Sequence, residues 1–101
     1  MKIEIVWDNQ VETFDMRTTK YENGRLAIVA YDELGALFGK LTVNVPDVKL
    51  AENEVVVKTY SENEPWAMQA VRAMVGKLVP TGRIVPVGRT SCPVYRLDGE
   101  L

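Results

Sequence analysis

The sequence predicts an α+β fold, in which a twisted, mainly antiparallel sheet of about five to seven strands carries one amphipathic helix on one face. Three observations predict this class. Apolar and polar residues alternate over much of the first sixty positions, which is typical of strands. Only residues 63–77 place apolar side chains at clear helical spacing. The connections are short, which favours antiparallel neighbours. With 101 residues, we expect a single domain spanning residues 1–101.

The strands are predicted from the alternation and from the turn residues between them. They run, in order, over residues 2–8, 13–17, 25–31, 37–45, 54–60, 83–85 and 94–97. Asn23-Gly24 predicts a tight primed hairpin turn, because both residues tolerate a positive φ. Asp8-Asn9-Gln10 and Asp32–Gly35 also have turn composition.

Two of these strands carry further expectations. Alternation in the fourth strand places a mostly apolar set on one face: Leu37, Gly39, Leu41, Val43 and Val45. Phe38 and Lys40 are expected on the other face, and Pro46 ends the strand because it has no amide hydrogen. The β-branched run Val55–Val57 would offer backbone groups to a partner strand if it lies at a sheet edge.

Residues 61–64 mark the change from strand to helix. Ser61 and Glu64 fit a capping box, and Asn63 is an equally good cap, with Pro65 in the first turn. We therefore predict one amphipathic helix of about three turns over residues 63–77, which Gly76 and Pro80 end.

The inventory of reactive side chains is small. The chain has no histidine and a single cysteine, so it has neither imidazole chemistry nor an intrachain disulfide. Cys92 is expected to be a structural strand residue rather than a reactive thiol. The acidic residues lack calcium-loop spacing, and the glycines lack the spacing of a phosphate-binding loop. We therefore expect no metal, no cofactor and no enzymatic activity.

The net charge of −2 is distributed unevenly along the chain. Residues 1–64 have a balance of −5, whereas residues 65–101 have a balance of +3. The basic segment either neutralises the acidic part within the fold, which we favour, or faces an acidic partner or a phosphate backbone. The candidate binding surface consists of its basic residues and one aromatic residue: Arg72, Lys77, Arg83, Arg89, Tyr95 and Arg96.

The sequence also predicts a location. Its first seven residues alternate between polar and apolar, unlike the basic segment and apolar run of a secretory signal. The longest apolar run, Leu26–Tyr31, is far shorter than the ~20 residues that cross a bilayer. We expect a cytoplasmic protein that does not enter a membrane.

Several strings resemble a family of small bacterial proteins that share a domain of unknown function and are frequently encoded near mobile-element genes. The resemblance covers about residues 20–97 and rests on Asn23–Ile28, Asp32–Gly35, Leu41–Val45, Asn53–Glu54, Tyr60–Asn63, Thr81–Arg83 and Cys92–Leu97. The chain departs at Ala36, where the resemblance leads us to expect an acidic residue. The family has no established activity, so the resemblance implies none for this chain.

The leading functional hypothesis is a non-catalytic protein-interaction or regulatory module. It would act through a sheet face or an edge strand, on an unknown protein partner or as a homodimer. The alternative is a nucleic-acid-associated accessory protein that uses the basic C-terminal third, although the overall acidity disfavours it. A carboxylate-based enzyme is a third hypothesis, and it requires two acids that converge in one pocket.

Overall fold

The computed structural model describes all residues, 1–101, and contains two four-stranded antiparallel sheets and one short helix. The strands are β1 (Lys2–Trp7), β2 (Gln10–Lys20), β3 (Leu26–Tyr31), β4 (Leu37–Lys40), β5 (Thr42–Val43), β6 (Glu54–Val57), β7 (Leu78–Val87) and β8 (Thr90–Leu97). A 3₁₀ turn (Ser61–Asn63) precedes helix α1 (Ala67–Ala73). The first sheet has the order β1-β2-β3-β4, and the second has the order β5-β6-β8-β7. The α+β class is confirmed, but the prediction of one sheet of five to seven strands is wrong.

The first two hairpins follow the turn residues of the sequence. Asp8 and Asn9 both have positive φ and form a two-residue turn between the paired residues Trp7 and Gln10. The β2–β3 connection is longer, because residues 21–25 separate the last paired residues and only Gly24 has a positive φ. The second hairpin is therefore confirmed, whereas its expected two-residue primed turn is wrong.

The predicted strand over residues 37–45 divides between the two sheets at Leu41. The Leu41 amide donates to the Ile28 carbonyl of β3 at 2.9 Å, and the Leu41 carbonyl accepts from the Lys58 amide at 2.8 Å. Residues before Leu41 therefore pair with β3, and residues after it pair with β6. This change of partner strand is the reason that two sheets form where the sequence predicted one.

The expected faces of that strand are also wrong near its start. Ala30 pairs with Gly39 and Tyr31 pairs with Leu37, so Phe38 is the extra residue of a β-bulge. Phe38 packs against the main core, whereas Leu37 is 57% exposed. A bulge shifts the alternation by one residue, which a simple period of two does not predict.

Helix α1 is shorter than the predicted residues 63–77. Trp66, the residue before α1, has a non-helical φ of −124°, and neither α1 nor the 3₁₀ turn has a side-chain cap. Asn63 does not cap the helix, because its side-chain amide donates to the Lys40 carbonyl of β4. The predicted capping box is therefore wrong. Neither α1 nor any other helix has the length and apolarity that are needed to cross a membrane.

Two hydrophobic cores lie on opposite faces of the second sheet. The main core contains seventeen buried residues from both sheets and α1, among them Ile5, Phe14 and Trp66. The smaller core contains Val56, Val85, Cys92 and Val94, and side chains of the loop at residues 44–53 pack onto it. Cys92 has no exposed surface, which agrees with the structural role expected for it.

Candidate binding surfaces

The predicted surface in the basic C-terminal third is divided among several places. Tyr95 is only 9% exposed and belongs to the main core, so its ring is not available for stacking on a partner. Arg72 is an exposed residue of α1, and Arg89 lies in the β7–β8 turn. Arg96 lies near the other end of β8, about 23 Å from Arg89 along an extended strand. The six residues therefore do not form one contiguous surface.

Two arginines of the second sheet, Arg83 and Arg96, are already paired with groups of the protein. The Arg96 guanidinium donates to both carboxylate oxygens of Asp98, which holds the pKa of Asp98 below its ordinary value. Arg83 donates to Glu54 at 3.4 Å and to the Lys49 carbonyl at 2.9 Å. The bond from Arg83 to the Lys49 carbonyl stabilises the 44–53 loop in its position on the smaller core. Lys77 lies beside Gly99, whose ideal Cβ position is 3.6 Å from the Lys77 ammonium.

A second arginine, Arg25, also binds this loop, and it was not among the predicted surface residues. Arg25 follows the β2–β3 turn and donates from its two terminal nitrogens to the carbonyls of Val45 and Val48. Two arginines thus bind carbonyls of the loop that packs on the smaller core. An arginine directly after a hairpin Asn-Gly was visible in the sequence, but its target lies twenty residues further along the chain.

At one residue on each edge of the first sheet, a side-chain amide takes the place of a neighbouring strand. Gln69 of α1 accepts from the Val6 amide at 2.9 Å and donates to the Val6 carbonyl at 3.0 Å, as a paired strand residue would. Asn63 makes the equivalent bond on β4, where its amide donates to the Lys40 carbonyl at 2.6 Å. These bonds occupy backbone groups that an added strand needs.

The edges of the second sheet are also poor sites for strand addition. β6 lies between β5 and β8, so Val55–Val57 is not at an edge and the condition for its pairing with a partner strand is not met. The actual edges are β5, with two residues, and β7. β7 contains Pro80 and Pro86, which lack amide hydrogens, and it has a register shift between Pro80 and Ile84.

The outward face of the first sheet, by contrast, is open and has an apolar corner. Val6 and Val11 are cross-strand partners, and they are 56% and 62% exposed. Leu34 lies beside Val11 in the same shallow depression and is 94% exposed. Asp32 fixes the turn that presents Leu34, because its carboxylate accepts from the amides of Leu34 and Ala36 at 2.9 Å. We call Val6, Val11 and Leu34 the apolar corner.

The sequence contains a signal for this corner that alternation alone does not reveal. Val6 occupies a position on the polar face of its strand, between Glu4 and Asp8. Leu34 stands inside a turn whose other residues are typical turn formers. Single exposed apolar residues are common, but a contiguous patch of them is informative about binding.

A groove of about 510 Å³ lies beside the segment that joins β4 to β5, and it contains an ion pair. Lys58 donates to the Glu62 carboxylate, and their side chains are 22% and 70% exposed. This hydrogen bond lowers the pKa of Glu62 and raises the pKa of Lys58 relative to their ordinary values. Burial raises the pKa of Tyr21, which also lines the groove, and its hydroxyl bonds the Thr42 hydroxyl at 2.8 Å.

We expect the Glu62 carboxyl to titrate below its ordinary range, and Lys58→Gln to raise its pKa, since the hydrogen bond from Lys58 is the largest cause of the shift. A carboxyl whose folded pKa lies below its unfolded value stabilises the fold above the unfolded pKa. That contribution is lost as the pH falls through the folded pKa. Carboxyl ¹³C chemical shifts followed against pH measure the titration. Lys49→Gln is the control and should leave the Glu62 pKa unchanged; the same Glu62 pKa in wild type and Lys58→Gln would contradict the expectation.

Comparison with known proteins gives no match to a family model, a curated protein or a solved structure. The resemblance to the bacterial family of unknown function stays a prediction.

Proposed function

We propose that the protein is a non-catalytic protein-interaction module that binds through the open face of its first sheet. The observation that carries this proposal is the apolar corner, where three large side chains with 56–94% exposure lie together. Removing apolar surface from water contributes roughly 25 cal/mol per Å², so a partner that covers the corner gains affinity from it. Such clusters are typical of protein interfaces.

Some backbone groups on the edge strands of both sheets are occupied or missing, which favours a sheet face rather than an edge as the binding surface. Gln69 and Asn63 occupy backbone groups on both edges of the first sheet, and the prolines of β7 remove donors from the long edge of the second. An incoming strand would have to displace these groups. A partner on the open face displaces only water.

The occupant that we propose is a second copy of this chain. The open face carries both signs of charge, with Lys2 and Arg17 exposed beside Glu4 and Glu33, and Arg17 is paired with Asp15 of the same face at 2.8 Å. In a two-fold symmetric contact the same surface faces itself, so a face with both signs can meet opposite charges on its partner. The apolar corner would then pack against itself at the centre of the contact.

The nucleic-acid hypothesis has less support. Arg83 and Arg96 are engaged with Glu54 and Asp98, and the ring of Tyr95 is buried in the main core. Binding of a phosphate backbone is favoured by free cations that follow one groove or face. Arg72 and Arg89 remain exposed but lie on separate elements.

Sedimentation velocity from micromolar to sub-millimolar concentration tests the proposed dimer. We expect a concentration-dependent dimer for the wild type, and a loss of about tenfold or more in dimer affinity for Leu34→Lys and for Val11→Lys. Val75→Lys is the matched control, because Val75 is 82% exposed but lies after α1, outside the apolar corner. A wild type that stays monomeric at every concentration overturns the proposal, and so does a dimer that Val75→Lys disrupts equally.

A further inference from the structure

The groove beside the β4–β5 junction has the size and composition of a small-molecule site. Its volume of about 510 Å³ falls within the ~300–1,000 Å³ that is common for such sites. One end is aromatic, with Trp7, Phe38 and Trp66, and the other has charged side chains, with Lys40, Lys58 and Glu62. None of these residues belongs to the apolar corner.

The aromatic side chains at one end of the groove are held in place by contacts with each other. The Phe38 ring lies edge-on to Trp7 at 5.6 Å and to Trp66 at 5.3 Å between centroids. Trp66 is only 2% exposed and supports Phe38 from the core side, whereas Trp7 and Phe38 are half-buried and keep part of their rings accessible. Phe38 also packs on the buried Phe14 at 4.3 Å. Because neighbouring rings already restrain these side chains in the free protein, little further conformational entropy is lost when a ligand packs against them.

The charged end is positive, although the whole chain is acidic. Lys40 lies over the Tyr21 ring, with its ammonium 5.6 Å from the ring centroid, and Lys58 lies over Tyr60 at 5.3 Å. The charged side chains that line the groove are two lysines and Glu62, which gives a local balance of +1 against −2 for the chain. The ammonium of Lys58 is bound to Glu62 alone among the acidic groups.

We propose that this groove binds a small planar aromatic anion. Its ring would pack against Trp7 and Phe38, and its carboxylate or phosphate group would face Lys40 and Lys58. Phe38 and Lys40 are two residues apart on β4, about 7 Å, so one substituted ring reaches both ends. The anionic group competes with the Glu62 carboxylate for the ammonium of Lys58. This site is independent of the proposed dimer contact.

Both tryptophans of the chain line the groove, so their two indole N–H signals report binding in ¹⁵N–¹H correlation spectra. The probes are two matched pairs at millimolar concentration: benzoate with benzyl alcohol, and adenosine 5′-monophosphate with adenosine. We expect at least one anion to shift the indole signals, and its neutral partner to bind about tenfold more weakly. The responding pair distinguishes a carboxylate from a phosphate. The proposal is overturned when neither anion shifts the signals, or when a neutral probe binds as well as its anion.

Three variants test whether the charges of the groove, rather than the net charge of the protein, determine the affinity for the anion. Lys58→Gln should weaken binding of the responding anion about tenfold, whereas Glu62→Gln should tighten it, because it removes the competing carboxylate. Lys49→Gln removes an exposed lysine outside the groove and should leave the affinity unchanged. Indole signals at their wild-type positions without ligand establish that each variant is folded. An equal loss in Lys49→Gln and Lys58→Gln, or weaker binding by Glu62→Gln, contradicts the proposed site.

Discussion

Trp66→Ala is expected to lower the free energy of unfolding by about 3–5 kcal/mol. Trp66 has the largest of the fully buried side chains and is 2% exposed. Its six-membered ring packs against Gly39 of β4, 3.4 Å from the ideal Cβ position of that glycine. Because Gly39 has no side chain, it cannot fill the cavity that removal of the Trp66 ring leaves. The loss is a large part of the total stability of a domain of this size. Urea unfolding followed by circular dichroism measures it.

Trp7→Ala is the matched control for this prediction. Trp7 contacts the same Phe38 ring but is only half-buried, so its removal should destabilise the protein clearly less than removal of Trp66. Trp66→Phe keeps an aromatic ring and should give an intermediate loss, which preserves the comparison when Trp66→Ala does not fold. A loss below about 1 kcal/mol for Trp66→Ala would show that this ring is not a central part of the core.

Asn63→Asp is expected to destabilise the fold strongly at neutral pH and much less at acidic pH. The Asn63 side chain is 2% exposed and donates to the Lys40 carbonyl. A carboxylate there loses the donor and leaves the carbonyl unpaired, which costs about 1–3 kcal/mol, and burial of the negative charge costs more. Burial raises the folded pKa of the introduced carboxyl above its unfolded pKa. The buried charge therefore lowers the free energy of unfolding by its full amount above the folded pKa, and this destabilisation disappears below the unfolded pKa.

Thermal unfolding midpoints across the acidic pH range, relative to the wild type at each pH, test this dependence. Asn53→Asp introduces the same chemical change at an exposed position, where the amide makes only a 3.4 Å bond to the Leu97 carbonyl. It should change stability by about 0.5 kcal/mol or less and show little dependence on pH. A deficit of Asn63→Asp that is the same at every pH would exclude the buried charge as its cause.

The local elements of the fold were predictable from the sequence because their signals are local. Asp8-Asn9 and Asn23-Gly24 lie within a few residues of the strands that they connect, and alternation identifies the buried side of β1. The division at Leu41 was not predictable in this way. It depends on hydrogen bonds to Ile28 of β3 and to Lys58, the residue after β6, which are thirteen and seventeen residues distant. A single-residue bulge at Phe38 likewise reflects packing against distant rings.

The helix and the candidate sites show the same limit. Asn63 matched a helix cap, yet a bond to Lys40, twenty-three residues earlier in the chain, determines its role. The groove brings together Trp7 and Trp66, which are 59 residues apart in the sequence. The apolar corner was partly visible, since Val6 interrupts a polar face, but its proximity to Leu34 comes from the turn geometry at Asp32.

The side-chain hydrogen bonds of Asn63 and Gln69 make access to both edges of the first sheet depend on the attachment of one small segment. The 3₁₀ turn and the seven-residue helix together hold both edges of the first sheet. Local opening of that segment, without unfolding of either sheet, releases backbone groups on β1 and β4 at the same moment. A sheet with two free edges can pair with another molecule on each side and grow into a polymer. A sheet with one free edge can pair with one other molecule only, which gives a dimer. We therefore expect the packing of Trp66 and Ala70 to oppose aggregation as well as to stabilise the native fold.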